Sequence, residues 1–115
     1  MKKIITLLVF SLFTTSLFAG EYPDISINEL KSAIKKGNVA VIDVNGAGSY
    51  KKGHIPSAIH FSSVGAKLAK SLPKDKNTLI VSYCGGPGCS AYKRGADAAA
   101  KLGYKNVKHL SAGIS

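Results

Sequence analysis

In Val81-Ser82-Tyr83-Cys84-Gly85-Gly86-Pro87-Gly88-Cys89-Ser90-Ala91, a run of β-formers that begins at Thr78 drives into a cysteine. The next five residues include three glycines and one proline, and a helix-forming segment opens at Ser90. A thiol at the carboxyl end of a buried strand, followed by a turn that opens a helix, sits where α/β proteins place reactive groups. Glycine tolerates the dihedrals of a tight turn, so the backbone N–H groups of such a loop can converge on an anion. A helix N-terminus adds positive potential, which favours thiolate over thiol. Cys84 is therefore the candidate nucleophile. Gly85, Gly86, Pro87, Gly88, Cys89 and Ser90 form its candidate anion-binding loop.

Outward from the loop, strands and helices alternate. Ser26-Ile27-Asn28-Glu29 matches a capping box, Ile27, Leu30 and Ile34 recur at helical spacing, and Gly37 ends that helix. Val39 to Val44 is continuously apolar apart from Asp43, as a strand buried on both faces should be. Asn45 to Gly48 reads as a loop and Tyr50 to Gly53 as one helical turn. Pro56 allows at most a short edge strand before Phe61. Val64, Leu68 and Leu72 stripe a helix over 63–72 that Pro73 stops. Ala91 to Leu102 is an alanine-rich helix closed by Gly103, and Val107 to Leu110 is a last strand. The alternation predicts an α/β fold with a mostly parallel central sheet.

The first nineteen residues differ from the rest. Met1-Lys2-Lys3 is charged, Ile4 to Phe18 is apolar apart from Thr and Ser, and Ala19 supplies a small residue before a cut. This predicts a signal peptide, residues 1–19, removed on export. The apolar run is shorter than the roughly 20 residues a spanning helix needs, so no stable membrane insertion is expected after cleavage. Residues 20–115 then form one domain in a periplasmic or secreted protein. The full chain carries 16 basic and 6 acidic residues, a formal charge of +10; without Lys2 and Lys3 it is +8. The lysines are scattered and Arg94 is the sole arginine. That pattern fits solvated faces attractive to small anions rather than a nucleic-acid-binding arm. The C-x4-C pair closes a loop too short to restrict the unfolded chain usefully, so a chemical role outranks a structural staple.

Two blocks carry a family resemblance. Val41-Ile42-Asp43-Val44 followed by Tyr50-Lys51-Lys52-Gly53-His54-Ile55-Pro56-Ser57-Ala58-Ile59-His60-Phe61 resembles the rhodanese-like signature "IDVR…EY…GHIPGAINI". Val81-Ser82-Tyr83-Cys84, Ser90-Ala91, Ala98-Ala99, Leu102-Gly103-Tyr104, Asn106-Val107 and Leu110-Ser111-Ala112-Gly113-Ile114 are similar to its second half, in order. The resemblance implies a three-layer α/β/α fold. It also implies a sulfurtransferase that needs no cofactor, in which Cys84 carries a sulfane sulfur as a persulfide. The partners would be a small anionic donor such as thiosulfate and an acceptor such as cyanide or a protein thiol.

The departures from that signature matter. Asn45 stands where relatives carry Arg, and Cys89 stands where their active loop ends in Arg. The loop therefore loses its cation, and Lys93 and Arg94 are the candidate substitutes. Phosphatase-type loops are one residue longer and end in Arg; position 90 is Ser, which disfavours phosphate-ester chemistry. The chain stops at Ser115 where relatives continue with an aromatic residue and a helix, so a shortened C-terminal cover is expected.

Cys89 admits two readings: a resolving thiol that forms a disulfide with Cys84, or a filler of the space left by Arg. Asp43 is expected to hold neighbouring backbone, and His54 to bond backbone near the Asp43 loop rather than act as a base. His60 and His109 read as satisfied edge histidines, and Tyr83 and Tyr92 as packing residues beside the loop. Two cysteines without a spaced histidine pair give no metal site. Besides sulfur transfer, two alternatives stand: a redox module cycling a Cys84–Cys89 disulfide, and a non-catalytic binding domain on the same fold.

Overall fold

The computed structural model describes residues 22–114; the expected signal peptide at 1–19 lies outside the described residues. Four strands, β1 (Val39–Asp43), β2 (Ile59–His60), β3 (Leu79–Tyr83) and β4 (Val107–His109), form one sheet in the order β2-β1-β3-β4. Every pairing is parallel, with Val41 opposite Val81, Ile42 opposite Ile59 and Ile80 opposite Val107.

Alternation along β1 and β3 sends successive side chains to opposite faces, and both faces are covered. On one face Val41, Val81 and Tyr83 pack with Ile25, Leu30 and Leu110. On the other, Ile42 and Ile80 pack with Leu68, Leu72, Ala96 and Ala99. Ile42, Val41, Ile80 and Val81 have essentially no exposed surface. Burial of each such side chain is worth about 1.5–3 kcal/mol, which is why the two central strands are apolar apart from Asp43 and Ser82. The result is the three-layer α/β/α arrangement with an all-parallel sheet.

The first layer is α1 (Ile27–Lys36). Ser26 Oγ accepts from Glu29 N–H at 3.0 Å, and Glu29 returns a carboxylate to Ser26 N–H at 3.2 Å. Gly37 closes the helix in the left-handed region at φ 75°. The opposite layer is α5 (Tyr92–Lys101), set close to the sheet because Gly95 presents no side chain. A Cβ there would lie 2.7 Å from Ser82 Oγ and 2.9 Å from Ile42 Cγ2. Ser82 Oγ–H also donates to Tyr92 C=O at 2.8 Å, tying the first turn of α5 to β3.

Two local expectations change. Helix α2 (Ala47–Lys52) begins inside the segment read as a loop, since the Tyr50 N–H reaches Gly46 C=O at 3.0 Å. The helix expected over 63–72 is broken into α3 (Phe61–Val64), a 3-10 turn (Gly65–Lys67) and α4 (Leu68–Ser71). Gly65, at φ 48°, accounts for the break. The segment before α1 also joins the sheet. Asp24 bridges His109 in parallel, with Ile25 N–H on His109 C=O at 2.8 Å and His109 N–H on Pro23 C=O at 2.9 Å. This strap covers the β4 edge, which would otherwise expose unpaired backbone groups. Among the described residues no helix is long and apolar enough to cross a membrane.

Candidate active site

All four strands point their carboxyl ends to one edge of the sheet. The connections leaving β1 and β3 run to opposite sides, so the ends of these two central strands flank a crevice. Cys84 follows β3 there, and Asp43, Val44 and Asn45 end β1 beside it. The two ends are joined directly: Val44 N–H donates to Tyr83 C=O at 3.0 Å.

The loop is closed by a Cys84–Cys89 disulfide. A turn explains the approach: Cys89 N–H donates to Gly86 C=O at 3.0 Å, folding the chain back over Pro87 and Gly88. The two Cα atoms come to 6.3 Å. The Cys89 amide is thereby spent and cannot serve an anion. Among the described residues the N–H groups of Gly85, Gly86, Gly88 and Ser90 make no backbone hydrogen bond, so these are the donors the loop can offer. In this closed form Cys84 is 3% exposed, whereas Cys89 is partly exposed and Pro87, Gly88 and Ser90 lie at the surface.

The first half of the loop is pinned from behind. Ile114 N–H donates to Cys84 C=O at 3.2 Å. Gly113, at φ 66°, backs onto the Gly85–Gly86 peptide so closely that a Cβ would lie 2.5 Å from Gly85 C and Gly86 N. An apolar groove of about 400 Å³, lined by Ile27, Leu30, Ile34, Ile55, Pro56 and Ile114 among others, reaches the loop through these two residues. Cys84 does not line it.

Below the loop is a buried polar network. Tyr83 Oη–H donates to Asp43 Oδ2 at 2.6 Å, Asn45 N–H donates to Asp43 Oδ1 at 2.7 Å, and Ile55 N–H donates to Tyr83 Oη at 3.0 Å. Asp43 thus holds backbone, as its position at a buried strand end suggests. Burial, followed by the Asp43 hydrogen bond, holds the Tyr83 phenol well above its usual value. Tyr83 is more than a packing residue: it clamps the 53–58 segment to the base of the loop.

The remaining candidates lie at or beyond the rim. His54 is exposed; its Nδ1–H donates to Tyr50 C=O at 2.7 Å and its ring stacks on Tyr50 at 3.7 Å. Lys93 and Arg94 are exposed in the first turn of α5, and neither forms an ion pair among the described residues. His109 donates from Nδ1–H to Tyr22 C=O at 2.9 Å and stacks on Tyr92.

His60 is a satisfied histidine on the edge strand, as the sequence suggests, but its links to Asn45 and Ser63 were not legible there. His60 is 7% exposed on β2. Its Nε2–H donates to Asn45 C=O at 2.8 Å, which leaves Nδ1 to accept from Ser63 Oγ–H at 2.7 Å. Asn45 Nδ2 is buried without a partner among the described residues. The available signal was Asn45 itself, a polar residue immediately after a buried strand.

The geometry is matched among known proteins. A family model described as "Rhodanese-like domain" matches residues 26–115. The BH2092 protein from Bacillus halodurans is 36% identical, with a TM-score of 0.67, covering 81% of this chain and 69% of that one. A rhodanese-related protein from Thermoplasma volcanium is 23% identical with a TM-score of 0.59, covering 82% of this chain and 88% of its own. The human single domain sulfurtransferase TSTD1 is 19% identical with a TM-score of 0.56, covering 82% and 93%. Both of the latter bear on the fold alone. A search of curated proteins finds no match.

Proposed function

The chain belongs to the rhodanese-like domain family, and from that premise we propose that it is an exported sulfurtransferase working through Cys84. The observation that supports the reading is the placement of Cys84 at the end of central strand β3, at the head of a loop with unspent glycine amides. A dithiol or other reductant first opens the Cys84–Cys89 bond. The Cys84 thiolate then attacks the outer sulfur of thiosulfate or a persulfide. A bond forms between Sγ and that sulfur, and sulfite or a thiolate leaves with the electron pair. The loop amides hold the anion while it arrives and departs. An acceptor such as cyanide or a protein thiol then removes the sulfur, regenerating Cys84. This is covalent catalysis in two half-reactions, with ping-pong kinetics.

With no arginine in the loop, donor binding rests on neutral N–H groups and the potential of the α5 N-terminus. Export is read from the composition of residues 1–19. The test is thiocyanate formation from thiosulfate and cyanide by the reduced protein. Activity lost in Cys84→Ser supports the reading; activity retained there ends it.

One observation favours a second reading. The closed loop is the oxidised half of a dithiol–disulfide couple, so the chain is alternatively a thiol redox module. Reduced protein that neither gains sulfur from thiosulfate nor releases sulfide, yet exchanges disulfides with a dithiol, would select it.

A further inference from the structure

We propose that the chain also reduces the sulfur it takes up, with Cys89 discharging the Cys84 persulfide as hydrosulfide. The inference rests on the sulfurtransferase reading above and specifies a product for it. Three observations carry it. The Cys84 and Cys89 sulfurs are bonded in the structure, so the loop brings them within reach of one another. The bond closes inside the loop alone: β3 ends at Tyr83 and α5 begins at Tyr92. The bond therefore joins no strand or helix residue. Finally, the two halves of the loop differ in anchoring. Gly113 and Ile114 pin Cys84 to Gly86, while Pro87, Gly88 and Ser90 are exposed around Cys89. The attacking sulfur sits on the more exposed half, which the Cys89 N–H to Gly86 C=O turn folds back over the pinned half that carries the loaded sulfur.

The step balances. Cys89 thiolate attacks Cys84 Sγ, forming the Sγ–Sγ bond and breaking the bond from Cys84 Sγ to the terminal sulfur. That sulfur leaves with the bonding pair and, with one proton taken up from solvent, is released as HS⁻. The sulfane sulfur is reduced by two electrons and the two cysteines are oxidised to the disulfide; the Cys89 proton goes to solvent beforehand. An external dithiol restores the pair by thiol–disulfide exchange. It attacks Cys89, the more exposed of the two, and Cys84 leaves as the thiolate ready for the next sulfur. Over one cycle thiosulfate and a dithiol become sulfite, hydrosulfide and a disulfide.

The experiment is a single turnover. Reduced protein, freed of reductant, is mixed with thiosulfate, and both sulfide and intact mass are measured. The expected result for the wild type is about one equivalent of sulfide and a mass about 2 Da below the reduced chain. Cys89→Ser and, as a second variant, Cys89→Ala are expected to release no sulfide and to retain an added mass of about 32 Da on Cys84. A wild type that keeps the added sulfur and releases no sulfide overturns this inference while leaving the sulfurtransferase reading intact. Variants and wild type that all take up no sulfur overturn both.

Discussion

Gly113 lies against Gly85 with no room for a side chain between them: a Cβ on Gly113 would sit 2.5 Å from the Gly85 carbonyl carbon. The C-terminal segment is thus a backstop for the loop that holds Cys84. Gly113→Ala meets backbone rather than a flexible side chain, and at φ 66° it adds the roughly 1–2 kcal/mol of left-handed strain. Displacement of the loop by about 1 Å is expected to lower sulfur uptake by roughly 100-fold. Stopped-flow mixing of reduced protein with thiosulfate measures the rate, and circular dichroism checks that the fold persists.

Tyr83→Phe removes one hydroxyl that serves two partners, Asp43 and the Ile55 N–H. A buried carboxylate oxygen and a backbone donor are left unpaired, which is expected to cost about 1–3 kcal/mol. Urea unfolding gives the number. The same hydroxyl fixes a pH dependence. The folded phenol titrates above its ordinary value of 10.0, so its stabilisation is complete below that pH and is lost as pH rises toward the folded value. The wild type should therefore weaken progressively above about pH 10, and Tyr83→Phe should show a shallower decline.

Gly95→Ala tests how closely α5 approaches the sheet. Alanine favours a helix interior by about 1 kcal/mol over glycine. Here its methyl group would press on Ser82 Oγ and Ile42 Cγ2, and overpacking costs about 1–3 kcal/mol. Net destabilisation of about 1 kcal/mol is expected. A rise in melting temperature would show that the helix can lift without loss.

Ser57 is the sole non-glycine residue with positive φ among the described residues, at 68°, in the turn where Ala58 N–H reaches Ile55 C=O at 2.9 Å. Ser57→Gly removes about 1–2 kcal/mol of strain and adds about 0.5–1 kcal/mol of unfolded-chain entropy. A small gain, roughly 0.5 kcal/mol, is expected in urea unfolding.

What the sequence made legible follows from how local each signal is. Val39–Asp43 and Leu79–Tyr83 announce themselves because burial on both faces demands nearly continuous apolar runs, interrupted here only by Asp43 and Ser82. Ser26 with Glu29, and Gly37, mark the ends of α1 through contacts within one turn. The Cys84 loop stands out because its glycines are adjacent in the chain. Long-range pairings leave no such trace: the strap from Pro23 to Ile25 on β4, the Asp43–Tyr83 bond across 40 positions and the burial of His60 all join distant residues. Gly65 breaks the expected helix because one positive φ outweighs the apolar stripe of Val64, Leu68 and Leu72.

The central claim is that Cys84, once released from Cys89, accepts a sulfur atom. Intact-mass spectrometry of the reduced Cys89→Ser protein after thiosulfate treatment tests it most directly, because that variant cannot close the disulfide. A gain of about 32 Da confined to the peptide containing Cys84 is the predicted result. An unchanged mass in the folded, reduced variant contradicts the account.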